Sequence, residues 1–176
     1  MSVLPSNAVA IVGLSLRVPG ADDDASFWRL VRHGVEAITR FDRARLLAAG
    51  VSPALLDEPR FVAARGMIEG AELFDAKLFG LSEREAALTD PQHRLFLQCC
   101  WEALERSGYA PDGGGAVGIY AGSSYSGHLH DKALVSIDPF DLAEMYQALI
   151  GNDKDFLATR VADKLHLEGP ALAIQT

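Results

Sequence analysis

Asp90-Pro91-Gln92-His93-Arg94-Leu95-Phe96-Leu97-Gln98-Cys99-Cys100-Trp101-Glu102-Ala103-Leu104-Glu105-Arg106-Ser107-Gly108 decides the fold class. Asp90 can cap a helix, because its carboxylate accepts from amides that the first turn leaves free. Pro91 suits the first helical position, where no amide donor is needed. Gly108 is a natural stop, since glycine takes the left-handed conformation that ends many helices. Between them Leu95, Phe96, Leu97, Cys99, Cys100, Trp101 and Leu104 cover most of the circumference. A helix apolar nearly all round is expected inside a layered fold.

The neighbouring segments supply the layers. Upstream, Ser82-Glu83-Arg84-Glu85 reads as a capping box that opens a preceding helix. Downstream, Val117 to Ala121 reads as a buried strand. Asn152 or Asp153 starts another helix, with Leu157, Val161 and Leu165 on one face. Gly169-Pro170 then turns the chain into Ala171-Leu172-Ala173-Ile174-Gln175, a further strand. Near the start, Ala8-Val9-Ala10-Ile11-Val12 is a continuous apolar run ending at Gly13, the pattern of a parallel strand buried on both faces. Asp22-Asp23-Asp24 precede an amphipathic helix carrying Phe27, Trp28, Leu30 and Val31 and stopped by Gly34. The acidic run suits the positive end of that helix better than it suits a metal. Residues 41–72, punctuated by Pro53, Pro59, Gly66 and Gly70, read as loops and short helices. Strands separated by helices point to an α/β sheet.

The chain has 176 residues, enough for one domain or part of a larger one. It is 49% hydrophobic and 23% charged, an ordinary globular balance. A formal net charge of -8 and scattered cations disfavour nucleic acid and acidic membrane as partners. No apolar run approaches membrane-spanning length. Met1 to Asn7 has no basic, apolar leader, and the two cysteines, Cys99 and Cys100, are adjacent and build no disulfide framework. These features point to a reducing, cytoplasmic setting.

Bottom-up chemistry yields no complete catalytic site. Gly113, Gly115 and Gly118 spell GxGxxG, but they follow a helix and lead into a strand, the reverse of the dinucleotide order. His128 and His130 lack the third and fourth ligands that a metal site needs, so a solvated loop is favoured. His33, His93 and His166 lie near helix ends and fit ordinary exposed roles. Cys99 and Cys100 sit mid-helix beside Phe96, Leu97 and Trp101, away from the helix N-terminus or cationic neighbours that activate a thiol. Core packing is their favoured role. No metal and no resident cofactor is expected.

Several strings in order resemble the ketosynthase domains of modular type I polyketide synthases. They begin with Ala8 to Gly13, Arg17-Val18-Pro19-Gly20-Ala21 and Phe27-Trp28. Phe74 to Ala86 follows, then Asp90-Pro91-Gln92-His93-Arg94-Leu95 with Trp101-Glu102-Ala103-Leu104-Glu105, the most specific block. Val117 to Gly122, Gly151 to Val161 and Leu167-Glu168-Gly169-Pro170, running to Gln175-Thr176, complete the series. Three departures stand out. Ala162-Asp163 replaces a common Ser-Tyr pair, Glu83 stands where Pro is frequent, and residues 41–56 match poorly.

The resemblance implies the amino-terminal part of a thiolase-like α/β fold, a mostly buried sheet with covering helices. Residues 1–7 would be a lead and residues 8–176 the ketosynthase part. It implies that the nucleophilic cysteine falls almost immediately after Thr176, with two histidines and a lysine further on. The chain would then hold no catalytic residue and be inactive alone. The implied parent reaction is acyl transfer to cysteine and decarboxylative Claisen condensation in polyketide or fatty-acid biosynthesis. Substrates would arrive on the phosphopantetheine of an acyl carrier protein. By the family pattern Tyr125 lines the acyl pocket, and Ala148 and Leu149 belong to the segment that reaches the partner subunit's tunnel. Ala171, Leu172, Ala173 and Ile174 would form the strand that pairs across a dimer. The alternative is a non-catalytic interaction module that pairs with a separately encoded ketosynthase half or a full synthase.

Overall fold

In the computed structural model, which describes residues 7–108, 116–125 and 127–175, the chain divides into two units. Residues 16–70 form one; residues 1–15 and 71–176 form the other.

The smaller unit contains α1 (Asp24–His33), β1 (Ile38–Arg40), α2 (Arg43–Ala48), α3 (Pro53–Leu56) and β2 (Ala64–Gly66). Each helix starts on a side chain that replaces a missing helical acceptor. Asp23 accepts from the Ser26 amide at 2.6 Å, and the Asp23 amide donates back to the Ser26 hydroxyl at 3.3 Å, a reciprocal box. Asp42 and Ser52 cap α2 and α3. Gly34 closes α1 in the left-handed region, at φ 62°. β1 and β2 pair antiparallel, Ile38 opposite Gly66. None of the three helices buries a residue fully.

The larger unit contains α4 (Glu83–Leu88), α5 (Pro91–Ser107), β3 (Ile119–Ala121), α6 (Leu142–Asn152), α7 (Leu157–Lys164) and β4 (Ala171–Ala173). A π-helical turn, Leu129–Ala133, and a 3-10 turn, Leu134–Ser136, lie between β3 and α6. Helix α7 is the centre of this unit: Leu157, Ala158 and Val161 are all at most 2% exposed. On one side Val161 and Leu165 join Phe79, Leu81 and Leu97 in a cluster that Phe74, Phe96, Cys100, Trp101 and Leu104 flank. On another, Leu157 and Ala158 pack with Ala121 of β3. A third cluster, Leu88, Ala133, Ile137 and Ala148, joins α4, the π turn and α6.

β3 and β4 pair in parallel, Tyr120 opposite Leu172. At the start of this pair the backbones run so close that a Cβ on Gly169 would lie 2.4 Å from the Val117 carbonyl, so only glycine fits there.

Helices α1 and α5 follow the sequence closely: α1 ends at Gly34 and α5 runs from Asp90 to a left-handed Gly108. Leu157, Val161 and Leu165 share a buried face, but α7 begins at Leu157 rather than at Asn152 or Asp153, because Asn152 ends α6 and Asp153 caps a separate 3-10 turn, Lys154–Phe156. The strands do not follow the sequence pattern. Ala8 to Val12 forms no strand, and Val9 and Ile11 are 94% and 89% exposed. Among the described residues no neighbouring strand offers it hydrogen-bond partners, and an apolar run alone supplies none. β3 and β4 are buried on one face only; Tyr120, Leu172 and Ile174 project from the other, each more than half exposed. Helix α5 fully buries only His93, Arg94 and Leu97, and its other apolar residues are half-buried. The Ser82 cap forms, with the Glu85 amide donating to its hydroxyl at 3.0 Å. The pair β1–β2 has no counterpart in the sequence pattern, where residues 41–72 read as loops and short helices.

Candidate functional site

The turn from α4 to α5, residues 88–92, is a junction to which the end of α6 and the loop after β3 are both bonded. The Asp90 amide donates to the Gly151 carbonyl at 3.0 Å. Asn152, at the end of α6, donates its amide nitrogen to the Leu88 and Ala148 carbonyls, both at 2.7 Å. Its oxygen faces His128 Nδ1 at 2.9 Å; with the amide nitrogen committed to carbonyls, His128 is the donor in that pair. Asp90 accepts from the Gln92 amide at 2.7 Å, and Gln92 reaches the loop after β3. There its side-chain nitrogen donates to the Ser124 carbonyl and its oxygen accepts from the Ser124 hydroxyl, each at 3.4 Å.

These attachments frame an open cavity of about 240 Å³, lined by Ser124, Tyr125, Leu129, Leu149, Asn152, Asp153 and Lys154. Tyr125 comes from the loop after β3 and Leu149 from α6, so the structure brings these two sequence-derived candidates to one cavity within one chain. Tyr125 is 81% exposed. Ala148 does not line the cavity; fully buried, it packs in the cluster with Leu88, Ala133 and Ile137. Ala171, Leu172, Ala173 and Ile174 lie elsewhere, along β4 and its extension. There the Ile174 amide donates to the Ala121 carbonyl at 2.7 Å, and Leu172 is 51% exposed.

Helix α6 is also fixed from its outer side. Arg84 Nε and Nη2 donate to the two carboxylate oxygens of Glu144 at 2.6 and 2.7 Å, and Nη2 donates to the Ser136 carbonyl at 2.8 Å. The Arg84 hydrogen bond holds the Glu144 carboxyl below its ordinary range.

Sequence reasoning missed the electrostatic interior. His93 is 1% exposed rather than a surface residue, and burial, aided by the positive charge of Arg160, pushes its pKa down to about 4. Its position four residues before Leu97, on the face that α5 buries, is the signal that was available. Burial likewise lowers Arg94, which donates to the Glu72 carbonyl at 3.2 Å and lies over the Phe74 ring. Asp163, where α7 departs from the family pattern, is an exposed residue whose charge supports Arg160. Burial raises the Cys100 thiol to about 12, with Cys99 adding to the shift. A thiol so placed packs and does not attack. Among the described residues no group of three His, Cys, Asp or Glu could hold a metal, and no helix is long and apolar enough to cross a membrane. Gly113 and Gly115 lie outside the described residues; Gly118 packs against Pro170 beside the β3–β4 pair.

Known proteins place the chain consistently. The family model for the β-ketoacyl synthase N-terminal domain matches residues 6–176. A phenolphthiocerol/phthiocerol polyketide synthase of Mycobacterium tuberculosis is 43% identical over 180 residues, covering 98% of this chain and 12% of that protein. Polyketide synthase GfsE of Streptomyces halstedii is 38% identical over 174 residues, covering 96% of this chain and 4% of that one. The crystal structure of ketosynthase twelve from the bacillaene polyketide synthase of Bacillus amyloliquefaciens superposes with a TM-score of 0.78 at 31% identity, covering 95% of this chain and 29% of that one. The module 1 ketosynthase of the bacillaene synthase from the same species gives 0.76 at 29% identity, with the same coverage. The chain therefore spans a small part of each relative, and its α/β architecture is that of the amino-terminal part of the thiolase-like ketosynthase fold. It belongs to the β-ketoacyl synthase family, as an amino-terminal ketosynthase domain of the polyketide synthase type.

Proposed function

We propose that residues 8–176 act as the amino-terminal part of a ketosynthase and supply one wall of its acyl pocket, while the remainder carries the nucleophilic cysteine. In the parent reaction the cysteine takes an acyl group from a phosphopantetheine thioester on an acyl carrier protein. A malonyl unit then loses carbon dioxide, and the carbanion so formed attacks the acyl thioester, forming the new carbon–carbon bond and releasing the cysteine thiolate. The work takes place in the cytoplasm.

This chain's part is binding and positioning. Tyr125 and Leu149 offer an apolar slot for the acyl group. The observation that carries the reading is the convergence of Tyr125 and Leu149, from a loop and a helix far apart in sequence, on one cavity. Replacing Tyr125 with Ala removes the ring that narrows the slot. In the complete ketosynthase the variant is expected to accept bulkier acyl groups; an unchanged acyl preference with the fold intact counts against the pocket.

A second reading, a non-catalytic module that associates with a ketosynthase half or a full synthase, draws on the exposed apolar face of Tyr120, Leu172 and Ile174. The two readings share the strand Ala171 to Ile174 as the contact with a second copy or partner. They part on whether the assembled protein becomes acylated.

A further inference from the structure

We infer that Gln92 is a positioning residue that sets the size of acyl group the Tyr125–Leu149 cavity admits; the inference rests on the acyl-pocket reading above. The cavity's two walls come from different segments, yet both are fastened to residues 88–92. The α6 wall is held by Asp90 to Gly151 at 3.0 Å and by Asn152 to Leu88 at 2.7 Å. The loop wall is held by the paired bonds between the Gln92 side chain and Ser124, the residue before Tyr125. Tyr125 as a residue is 81% exposed and gains little from packing, so the hold on Ser124 does much to place it.

The chemistry suits glutamine. One planar group donates to a carbonyl and accepts from a hydroxyl, as a carboxamide can. Glutamate keeps the acceptor and loses the donor; leucine loses both. Gln92 is itself steadied where its backbone amide meets Asp90 at 2.7 Å. At 3.4 Å the two bonds to Ser124 are longer than ordinary hydrogen bonds and individually weak. Losing them therefore shifts the wall more than it weakens the fold.

The test uses the complete ketosynthase and pantetheine thioesters of acetate, hexanoate and phenylpropanoate. Gln92→Leu is expected to raise the bulky-to-small ratio of kcat/KM by roughly 3- to 10-fold, the loss of one or two neutral hydrogen bonds. The change should reside in KM, with kcat on the preferred substrate and Tm unchanged. Gln92→Glu, which loses the donor and sets a carboxylate against the Ser124 carbonyl and the Asp90 carboxylate, is expected to shift the ratio in the same direction at least as far, and it carries the test if Gln92→Leu does not fold. A uniform fall in kcat on every substrate would mark a merely structural role and overturn the inference. So would an unchanged profile in a protein whose Tyr125→Ala variant does shift, and in that case the pocket reading survives. If neither Gln92 nor Tyr125 substitution moves the profile, the pocket reading fails and this inference fails with it.

Discussion

Asn152 donates its side-chain amide to the Leu88 carbonyl oxygen at 2.7 Å, joining the last residue of α6 to the last residue of α4. The same nitrogen also serves the Ala148 carbonyl, and the same side chain's oxygen serves His128. One half-buried carboxamide thus ties α4, α6 and the start of the π turn. Asn152→Ala removes these three bonds and is expected to cost roughly 1–3 kcal/mol. Asn152→Asp should cost more, because a carboxylate cannot donate and would face two carbonyl oxygens. Urea unfolding of the three proteins checks this. An Asp variant as stable as the parent would show that the bracket does not hold these elements together.

Burial of His93 makes stability depend on acid. Its folded pKa, about 4, lies below the ordinary 6.5, so the unfolded chain binds the proton more readily. The neutral ring's contribution is therefore complete above pH 6.5 and is lost as pH falls from there toward 4. At ~1.4 kcal/mol per unit, the loss attributable to this group is about 3 kcal/mol across that window. His93→Leu should flatten the stability profile between pH 6.5 and 4.5. An equally steep profile in the variant would assign the acid sensitivity to other groups.

The cysteines should differ from an activated nucleophile. With its thiol at about 12, Cys100 exposes roughly one thiolate in ten thousand at pH 8. Iodoacetamide at pH 8 is expected to leave Cys100 unmodified in the folded chain and to modify it readily in denaturant, as read by peptide mass. Rapid modification of Cys100 under native conditions would contradict its place in the core.

How much of this was legible without coordinates follows from the range of each interaction. Helices α1 and α5 were readable from caps and stops, because those hydrogen bonds close within a few residues: Asp23 to Ser26, Asp90 to Gln92. The buried face of α7 was readable from periodic apolar residues but its start was not, since no side chain caps it. Strands need a partner distant in sequence. Ala8 to Val12 had the composition of a buried strand but finds no partner among the described residues, whereas Ile38–Arg40 and Ala64–Gly66 lack the apolar run and do pair. The family was legible because ordered local strings carry it. The cavity was not legible, since no local pattern brings Tyr125 to Leu149 and the resemblance assigns Leu149 to the segment reaching a partner subunit's tunnel. The buried His93 lay in a motif already singled out, but its electrostatics depend on Arg160, a residue from another helix.

The apolar face of β3 and β4 should be adhesive. Tyr120 and Leu172 face each other in register and, with Ile174, remain exposed. An apolar strand surface of this kind recruits other copies. The purified chain is expected to grow in apparent mass with concentration, and Leu172→Lys is expected to reduce that growth. Sedimentation velocity across a hundredfold concentration range checks it; a concentration-independent monomer would show that this face does not associate.

Central to the proposed function is that this chain is the binding part of a ketosynthase and relies on a nucleophile outside it. Intact mass after incubation with an acyl-phosphopantetheine thioester tests that most directly. The chain alone is expected to keep its mass, and a mixture with the nucleophile-bearing remainder should show one acyl group on that remainder alone. A stable acyl adduct on the folded 176-residue chain, abolished by Cys99→Ser or Cys100→Ser, would contradict both the packing role of these cysteines and the division of labour proposed here.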